Sequence, residues 1–366
     1  MRLLLCGGGT AGHIIPALAV AEELRRRDPK SEILFVGREG GLENEHIKKS
    51  GFKQKTLRVY GLKRSFSLDN LTRVREAIKA RGEAKKIINE FRPDVILGTG
   101  GYVCWPVISA GKRMKIPTAI HESNVYPGLT TKLLAKKCDK IMLNREETKK
   151  YLNSGISTVT VGNPIREDFE KISRKNARQK LGVSEKEILI VSFGGSIGAE
   201  VMNDVVTETM KEYTSREKDI KHIHATGRRY YEKVKGELGE ANLGKCKIIS
   251  YIDDMPTALM AADIVICRCG AMTLSEIAEA GVASILIPSP NVTNNHQYKN
   301  AEYLKNRSAA TVIEEKNLSK EVLVEEIKRL KNDENGRKTQ AKNIKAHSTP
   351  KAAEMIVNEL FLLKKS

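Results

Sequence analysis

The sequence predicts an α/β protein made of two doubly wound, Rossmann-like domains whose strand ends face a cleft. Three observations carry this. Short apolar runs alternate with helix-period segments along the whole chain, the pattern of parallel strands joined by crossover helices. The alternation falls into two series, which suits a length of 366 residues. Each series opens alike, with an apolar strand, a glycine loop and an amphipathic helix. The loops are Gly7-Gly-Gly-Thr-Ala-Gly12 in the first and Gly194-Gly-Ser-Ile-Gly198-Ala199 in the second.

Strands of the first series are expected at Arg2–Cys6, Glu32–Val36, Val95–Leu97, Thr118–Ile120, Lys140–Leu143 and Thr158–Val161. Helices lie between them, among them Pro16–Arg27 and Arg73–Phe91, with Pro16 in a first turn where its missing N–H costs little. Gly162-Asn163-Pro164 reads as a turn after the last strand, and the charged, helix-like segment Arg166–Leu181 follows. The domain boundary is set at that turn. The second series runs through Glu187–Phe193, His222–Thr226, Lys247–Ser250, Asp263–Cys267 and Ala283–Ile287. Two more strand-to-helix junctions carry glycines, Gly98-Thr-Gly-Gly101 and Gly270-Ala-Met-Thr273. Near the end, Ser348-Thr349-Pro350 supplies a cap and a first-turn proline for a helix. Its Ala353, Ile356, Val357, Leu360 and Phe361 recur at helical spacing, so it packs on one of the two domains.

Composition narrows the function classes. The chain is 40% hydrophobic and 30% charged, and no run approaches the roughly 20 apolar residues that span a bilayer. Leu3-Leu-Leu-Cys6 after Arg2 stops at three glycines and reads as a buried strand instead of a lipoprotein signal. The cysteines at 6, 104, 138, 246, 267 and 269 show no CxxC spacing and imply reduced, buried thiols of a cytoplasmic protein, with no metal site. The net charge of +18 is concentrated: residues 47 to 92 hold 14 Lys and Arg against 4 Asp and Glu, a surplus of +10. Such a region attracts anionic lipid, phosphorylated substrates or nucleic acid, or is simply a solvated surface. Few aromatics and no zinc-finger or RNA-binding pattern make nucleic acid the weakest of these.

A glycine loop opening a helix offers backbone N–H groups and the positive end of a helix dipole to an anion. Gly7-x-Gly9-x-x-Gly12 has dinucleotide spacing, but the second strand ends ambiguously in Gly37-Arg38-Glu39, and the spacing alone is weak evidence for a redox cofactor. His13 is more informative. At the helix mouth the dipole disfavours imidazolium, which suits a neutral general base; equally, the ring could merely bond the loop. Thr273-Leu-Ser-Glu276 matches a capping box, so Glu276 has a structural reading beside a sugar-binding one. Asn294-Asn-His-Gln-Tyr298 offers groups for hydroxyl and phosphate recognition, or a polar surface turn.

The stretches GGGTAGHIIPALAVAEEL, GTGGYVCWPVISAG, IPTAIHESNVYPGLTTKLLAKKCDKI, VGNPIR, FGGSIGA, YIDDMPTALMAADIVICRCGAMTLSEIAEAG and NNHQYKNAEYL occur in this order, from residue 3 to about 305. Together they resemble the MurG family of glycosyltransferases. The resemblance implies a two-domain GT-B fold, with residues 1–163 as an N-terminal acceptor and membrane-facing domain on which 346–366 packs back, and 164–345 as the donor domain. It implies inverting transfer of N-acetylglucosamine from UDP-GlcNAc to the C4 hydroxyl of the muramoyl sugar of lipid I, forming lipid II of peptidoglycan. It also implies Thr10, Ala11 and Gly12 beside the donor, Asn124 at its sugar, Arg166 on the nucleotide side and Ser196 at the diphosphate. Ile252 would lie beside uracil, Ala271, Met272, Thr273, Leu274, Ser275 and Glu276 would line the nucleotide, and Gln297 would reach the GlcNAc hydroxyls. Within this resemblance Glu276 holds the ribose, and His13 is the base or positions the acceptor diphosphate. Ala11, Ser123 and His296 depart from the family's usual glycine and glutamines. No cofactor is implied, and no Asp-x-Asp motif is placed to hold a metal–diphosphate.

Two further expectations follow from a polyprenyl-linked acceptor. The enzyme works at the cytoplasmic face of the cell membrane as a peripheral protein, in the company of other cell-wall synthesis enzymes. Residues 59–68 and the basic helix Arg73–Lys86 would dock on anionic lipid. The alternatives are a transferase acting on another lipid acceptor and a UDP-sugar epimerase of the same architecture. A dehydrogenase or a non-enzymatic lipid- or nucleic-acid-binding protein leaves the motif set unexplained.

Overall fold

The computed structural model describes residues 1–41, 43–60, 69–165, 168–195 and 197–365. By internal contacts the chain divides into two units, Met1–Arg166 with Thr349–Ser366, and Glu167–Ser348.

In the first unit seven parallel strands form one sheet: β1 (Arg2–Cys6), β2 (Glu32–Arg38), β3 (Lys53–Leu57), β4 (Val95–Gly98), β5 (Thr118–Glu122), β6 (Lys140–Leu143) and β7 (Thr158–Thr160). Their order is β3-β2-β1-β4-β5-β6-β7. The second unit holds β8 (Ile188–Phe193), β9 (Ile220–Ala225), β10 (Lys247–Ile249), β11 (Ile264–Cys267), β12 (Ala283–Leu286) and β13 (Thr311–Val312), in the order β10-β9-β8-β11-β12-β13. In both sheets all strands are parallel, and the order in which they are added reverses beside the first strand. Within the first unit the loops leaving β1 and β4 therefore flank a crevice at the strands' carboxyl ends, and within the second unit those leaving β8 and β11 flank another.

Every expected strand is present, and two edge strands were not anticipated. In β3, Lys-Gln-Lys-Thr-Leu, only Leu57 is buried, so it lacks the apolar run of a strand covered on both faces. At the other edge, β13 is two residues long.

Alternation along β1 divides the core. Leu3 and Leu5 face Ile14, Ala17, Val20 and Leu24 of the helix Ala11–Arg27, with Ile356, Val357 and Leu360 of the helix Ala352–Lys365. Leu4 and Cys6 face Ile88, Val107 and Ile108 on the other side. Each such fully buried aliphatic side chain contributes about 1.5–3 kcal/mol. The C-terminal helix thus belongs to the first unit, held also by Arg27 Nη1 donating to Asn358 Oδ1 at 2.7 Å and Lys140 pairing with Glu359 at 2.6 Å. Gly162 makes this return crossing possible: its φ is +82°, and a Cβ there would lie 2.3 Å from Thr349 Cβ.

Three local expectations are corrected. The first helix begins at Ala11, so Pro16 lies inside it instead of in its first turn. The hydrogen bond that Pro16 forgoes would have gone to the carbonyl of Gly12, in the first turn of the helix. The segment 166–181 is broken into short helices, Asp168–Lys171 and Arg174–Lys180, because Ser173 caps the second by accepting the Asn176 N–H at 3.2 Å. The last helix starts beyond Pro350, with Ala352 N–H donating to Thr349 O at 3.1 Å. Among the described residues no helix is long and apolar enough to cross a membrane.

Candidate active site

In the first unit the site is built where the glycine loop of β1 meets that of β4. Thr10 is the N-cap of the helix Ala11–Arg27, with extended φ and ψ and no side-chain cap bond. His13 is the third helical residue and is half-buried. Its Nδ1 lies 2.9 Å from the carbonyl of Gly8 and 3.3 Å from Thr10 Oγ1. A carbonyl only accepts, so Nδ1 carries the proton and the neutral ring has its basic lone pair on Nε2. The ring lies flat against Gly100, where a Cβ would come within 2.8 Å of Nε2.

The two loops touch through their backbones. Gly8 N–H donates to Gly100 O at 3.3 Å, and Thr99 Oγ1 donates to His13 O at 2.7 Å. A Cβ on Gly101 (φ +86°) would lie 2.1 Å from Gly8 O. Any side chain there would drive the loops apart, which is the local reason for Gly98-Thr-Gly-Gly101. Beneath them the buried carboxylate of Glu43 accepts the N–H of Gly9 at 3.2 Å and of Arg38 at 2.9 Å. Sequence reasoning missed Glu43, which the sequence does not set apart from its neighbours Glu39 and Glu45.

At the end of β5, His121-Glu-Ser-Asn124 is locked from all sides. Glu122 Oε1 accepts the backbone and side-chain N–H of Asn124 at 2.9 and 3.1 Å, while its Oε2 accepts Gly128 N–H and Thr131 Oγ1–H at 2.9 and 2.6 Å. The Ser123 carbonyl takes the amides of Asn144 and Asn163 at 2.8 and 3.2 Å. The ring of His121, 2.8 Å from Gly162 O, is fully buried, and burial holds its pKa below the ordinary imidazole value. Asn124 therefore stands in a pre-set orientation, with its amide nitrogen committed to Glu122.

In the second unit, β8 leads into Gly194-Gly195 and, from Ala199 as N-cap, into the helix Glu200–Thr209. This loop abuts the loop of β9, whereas in the first unit the loop of β1 abuts that of β4, on the other side of the first strand. A Cβ on Gly198 (φ +91°) would lie 2.1 Å from Thr226 O, and one on Gly227 would lie 2.3 Å from Gly198 N. Asn203 Nδ2, donating to Thr226 O at 2.9 Å, ties the pair. Ile252 is buried after β10.

The helix Ala271–Ala280 begins with Gly270 as N-cap and no side-chain cap bond. The capping box that the Thr273–Glu276 spacing matched therefore does not form, because the helix starts at Ala271 and Thr273 is already its third residue. Ala271, Met272, Thr273, Leu274, Ser275 and Glu276 make up its first turns, and Glu276 is buried. Gln297 Oε1 accepts the N–H groups of Cys269 at 3.2 Å and Ser289 at 2.9 Å, stitching the loops after β11 and β12. Its carbonyl is used by the protein, and its NH2 group is what it can offer a ligand. The backbone of Ala11 opens the first helix. Arg166, Ser196 and residues 61–68 of the stretch 59–68 expected to dock on lipid lie outside the described residues.

Residues 3–143 match the glycosyltransferase family 28 N-terminal domain, and residues 189–356 match the glycosyltransferase family 28 C-terminal domain. A protein of Acetivibrio thermocellus is 45% identical over 356 residues, 97% of this chain and 96% of its own. One of Listeria monocytogenes is 39% identical over 369 residues, the whole of both chains. Each of these relatives is called UDP-N-acetylglucosamine–N-acetylmuramyl-(pentapeptide) pyrophosphoryl-undecaprenol N-acetylglucosamine transferase. Among solved structures, Acinetobacter baumannii MurG superposes with a TM-score of 0.78 at 25% identity, covering 100% of this chain and 99% of that one. The Neisseria meningitidis UDP-GlcNAc 2-epimerase shares the fold, with a TM-score of 0.68 at 14% identity over 99% of this chain and 100% of its own.

Proposed function

The chain belongs to the MurG family within glycosyltransferase family 28, and from that premise we propose that it makes lipid II. It transfers N-acetylglucosamine from UDP-GlcNAc to the muramoyl 4-hydroxyl of lipid I, with inversion at the anomeric carbon. The observation that carries the chemistry is the 2.9 Å contact of His13 Nδ1 with the Gly8 carbonyl: because a carbonyl can only accept, Nδ1–H is spent there and Nε2 is the proton acceptor. Nε2 takes the proton of the 4-hydroxyl as its oxygen attacks the anomeric carbon, and UDP leaves from the opposite face.

The donor is held by the second unit. Ser196 and the backbone N–H groups of its glycine loop meet the diphosphate charge, with Thr273 at the next helix start. Ile252 flanks uracil, Glu276 holds the ribose hydroxyls, Arg166 meets the nucleotide, and Gln297 donates its NH2 to the sugar. From the first unit, Thr10, Ala11, Gly12 and Asn124 complete the donor contacts.

The acceptor's polyprenyl chain requires a membrane surface. The protein acts as a peripheral enzyme at the cytoplasmic face, its basic region from 47 to 92 drawn to anionic lipid. The exposed Tyr60 and Ile78 in this region support that reading. Incubation with labelled UDP-GlcNAc and a lipid I analogue tests the whole assignment. Disaccharide and free UDP must appear together; release of a 2-epimer of the donor, or no product, overturns it.

A further inference from the structure

The loop that follows β9 carries an adjacent pair of arginines with no role so far. Thr226-Gly227-Arg228-Arg229-Tyr230 leaves the carboxyl end of β9, one residue from the backbone contact between Gly198 and Gly227. Both arginines are exposed, and among the described residues neither guanidinium hydrogen-bonds or ion-pairs with another side chain. Yet both are oriented. Arg228 Cζ sits 5.2 Å from the centroid of the Tyr251 ring, the residue just before Ile252, and Arg229 Cζ sits 5.4 Å from that of Tyr230. Tyr230 in turn packs on the glycine loop, since a Cβ on Gly198 would come within 2.8 Å of its Cδ2. The nearby acid on the adjoining helix, Glu200, is already paired with Lys233 at 2.7 Å.

Two aromatic-backed guanidinium groups, neither in a side-chain hydrogen bond or close ion pair among the described residues though Arg229 feels the charge of Glu200, thus stand at the end of β9, between the glycine loop of β8 and the segment 251–252 after β10. Guanidinium matches the geometry of phosphate oxygens, and ring stacking limits the rotamer freedom lost on binding. We propose that Arg228 and Arg229 are diphosphate-binding residues for the nucleotide sugar, adding positive charge beside the glycine loop. This rests on the donor assignment above and adds to it a cationic arm from β9.

The test is calorimetric binding of UDP-GlcNAc, UDP and uridine to the full-length protein and to Arg228→Ala/Arg229→Ala. The expected result is a loss of about tenfold or more in affinity for UDP and UDP-GlcNAc, with uridine unchanged, because exposed charged contacts are worth of order 1 kcal/mol each. The salt dependence of UDP binding should also weaken in the variant, and Arg228→Lys/Arg229→Lys should recover part of the affinity. Unchanged UDP affinity in the alanine variant, or an equal loss for uridine, overturns the proposal. Failure of the wild-type protein to bind UDP-GlcNAc instead overturns the donor assignment on which it rests.

Discussion

Lowering the pH from 7.5 to 5.0 should destabilise the second unit by about 4 kcal/mol through two buried histidines that take no part in catalysis. His222 and His224 lie on β9 with no solvent exposure, and both face Ser192 Oγ at 2.8 Å, one through Nε2 and the other through Nδ1. Thr214 Oγ1 lies 3.3 Å from the remaining nitrogen of His222, while His224 Nε2 is buried without a hydrogen-bond partner. A proton there would sit on an unpaired N–H in an apolar core. Burial accordingly pushes His222 down to about 3, helped by its neighbour His224, and His224 down to about 4, against an ordinary 6.5. Because the folded pKa values lie below the unfolded ones, the unfolded chain binds more protons at any pH between them. The stability is complete above 6.5 and drains away as the pH falls toward 4. At pH 5.0 each ring is about 1.5 pH units below its unfolded value, about 2 kcal/mol per histidine. The assay is denaturant-dependent hydrogen exchange of the β8 and β9 amides at the two pH values, corrected for intrinsic exchange. Fluorescence would miss the effect, since the single tryptophan, Trp105, is in the first unit. A difference below about 1 kcal/mol in those amides would refute the reasoning.

The His13→Ala variant should lose about 10²–10⁴-fold in turnover while its affinity for UDP-GlcNAc stays within a few-fold; near-normal turnover removes Nε2 from the chemistry. Gly101→Ala should cost more than about 2 kcal/mol in thermal unfolding, because its Cβ would fall 2.1 Å from Gly8 O. Gly9→Ala, at the same φ of +86° but with nothing within 4 Å, should cost only about 1 kcal/mol, and equal losses would show that the loop contact is not what demands glycine. Gln297→Glu keeps an acceptor for Cys269 and Ser289 but loses the NH2 donor, so KM for UDP-GlcNAc should rise about tenfold with little change in Tm. An unchanged KM removes Gln297 from the sugar site.

Much of the site was legible because glycine-rich strand-to-helix junctions are local signals. The loops at Gly7–Gly12, Gly98–Gly101, Gly194–Gly198 and Gly270 each stand where an apolar run ends and a helix begins. What they touch was not legible. Nothing near Glu43 or Glu122 in sequence reveals that one carboxylate pins Gly9 or that the other turns the amide of Asn124. The capping-box reading of Thr273 and Glu276 failed for a related reason: the spacing is right, but the helix starts earlier, with Gly270 as its N-cap.

The sequence by itself determined the alternation of buried strand and helix, and with it the parallel sheets, because apolar periodicity and junction glycines are encoded within a few residues of where they act. It also determined that the last helix is amphipathic. Tertiary structure alone decided that the chain crosses to this helix against Gly162, that β3 and β13 form the sheet edges, and that Gln297 spends its carbonyl on two loops. It also set the proton of His13 on Nδ1, through the carbonyl of Gly8. Each of these depends on which backbone donor, acceptor or open space a residue meets once the chain has folded, and that pairing is set by atoms distant in sequence or by a turn geometry that spacing alone does not encode.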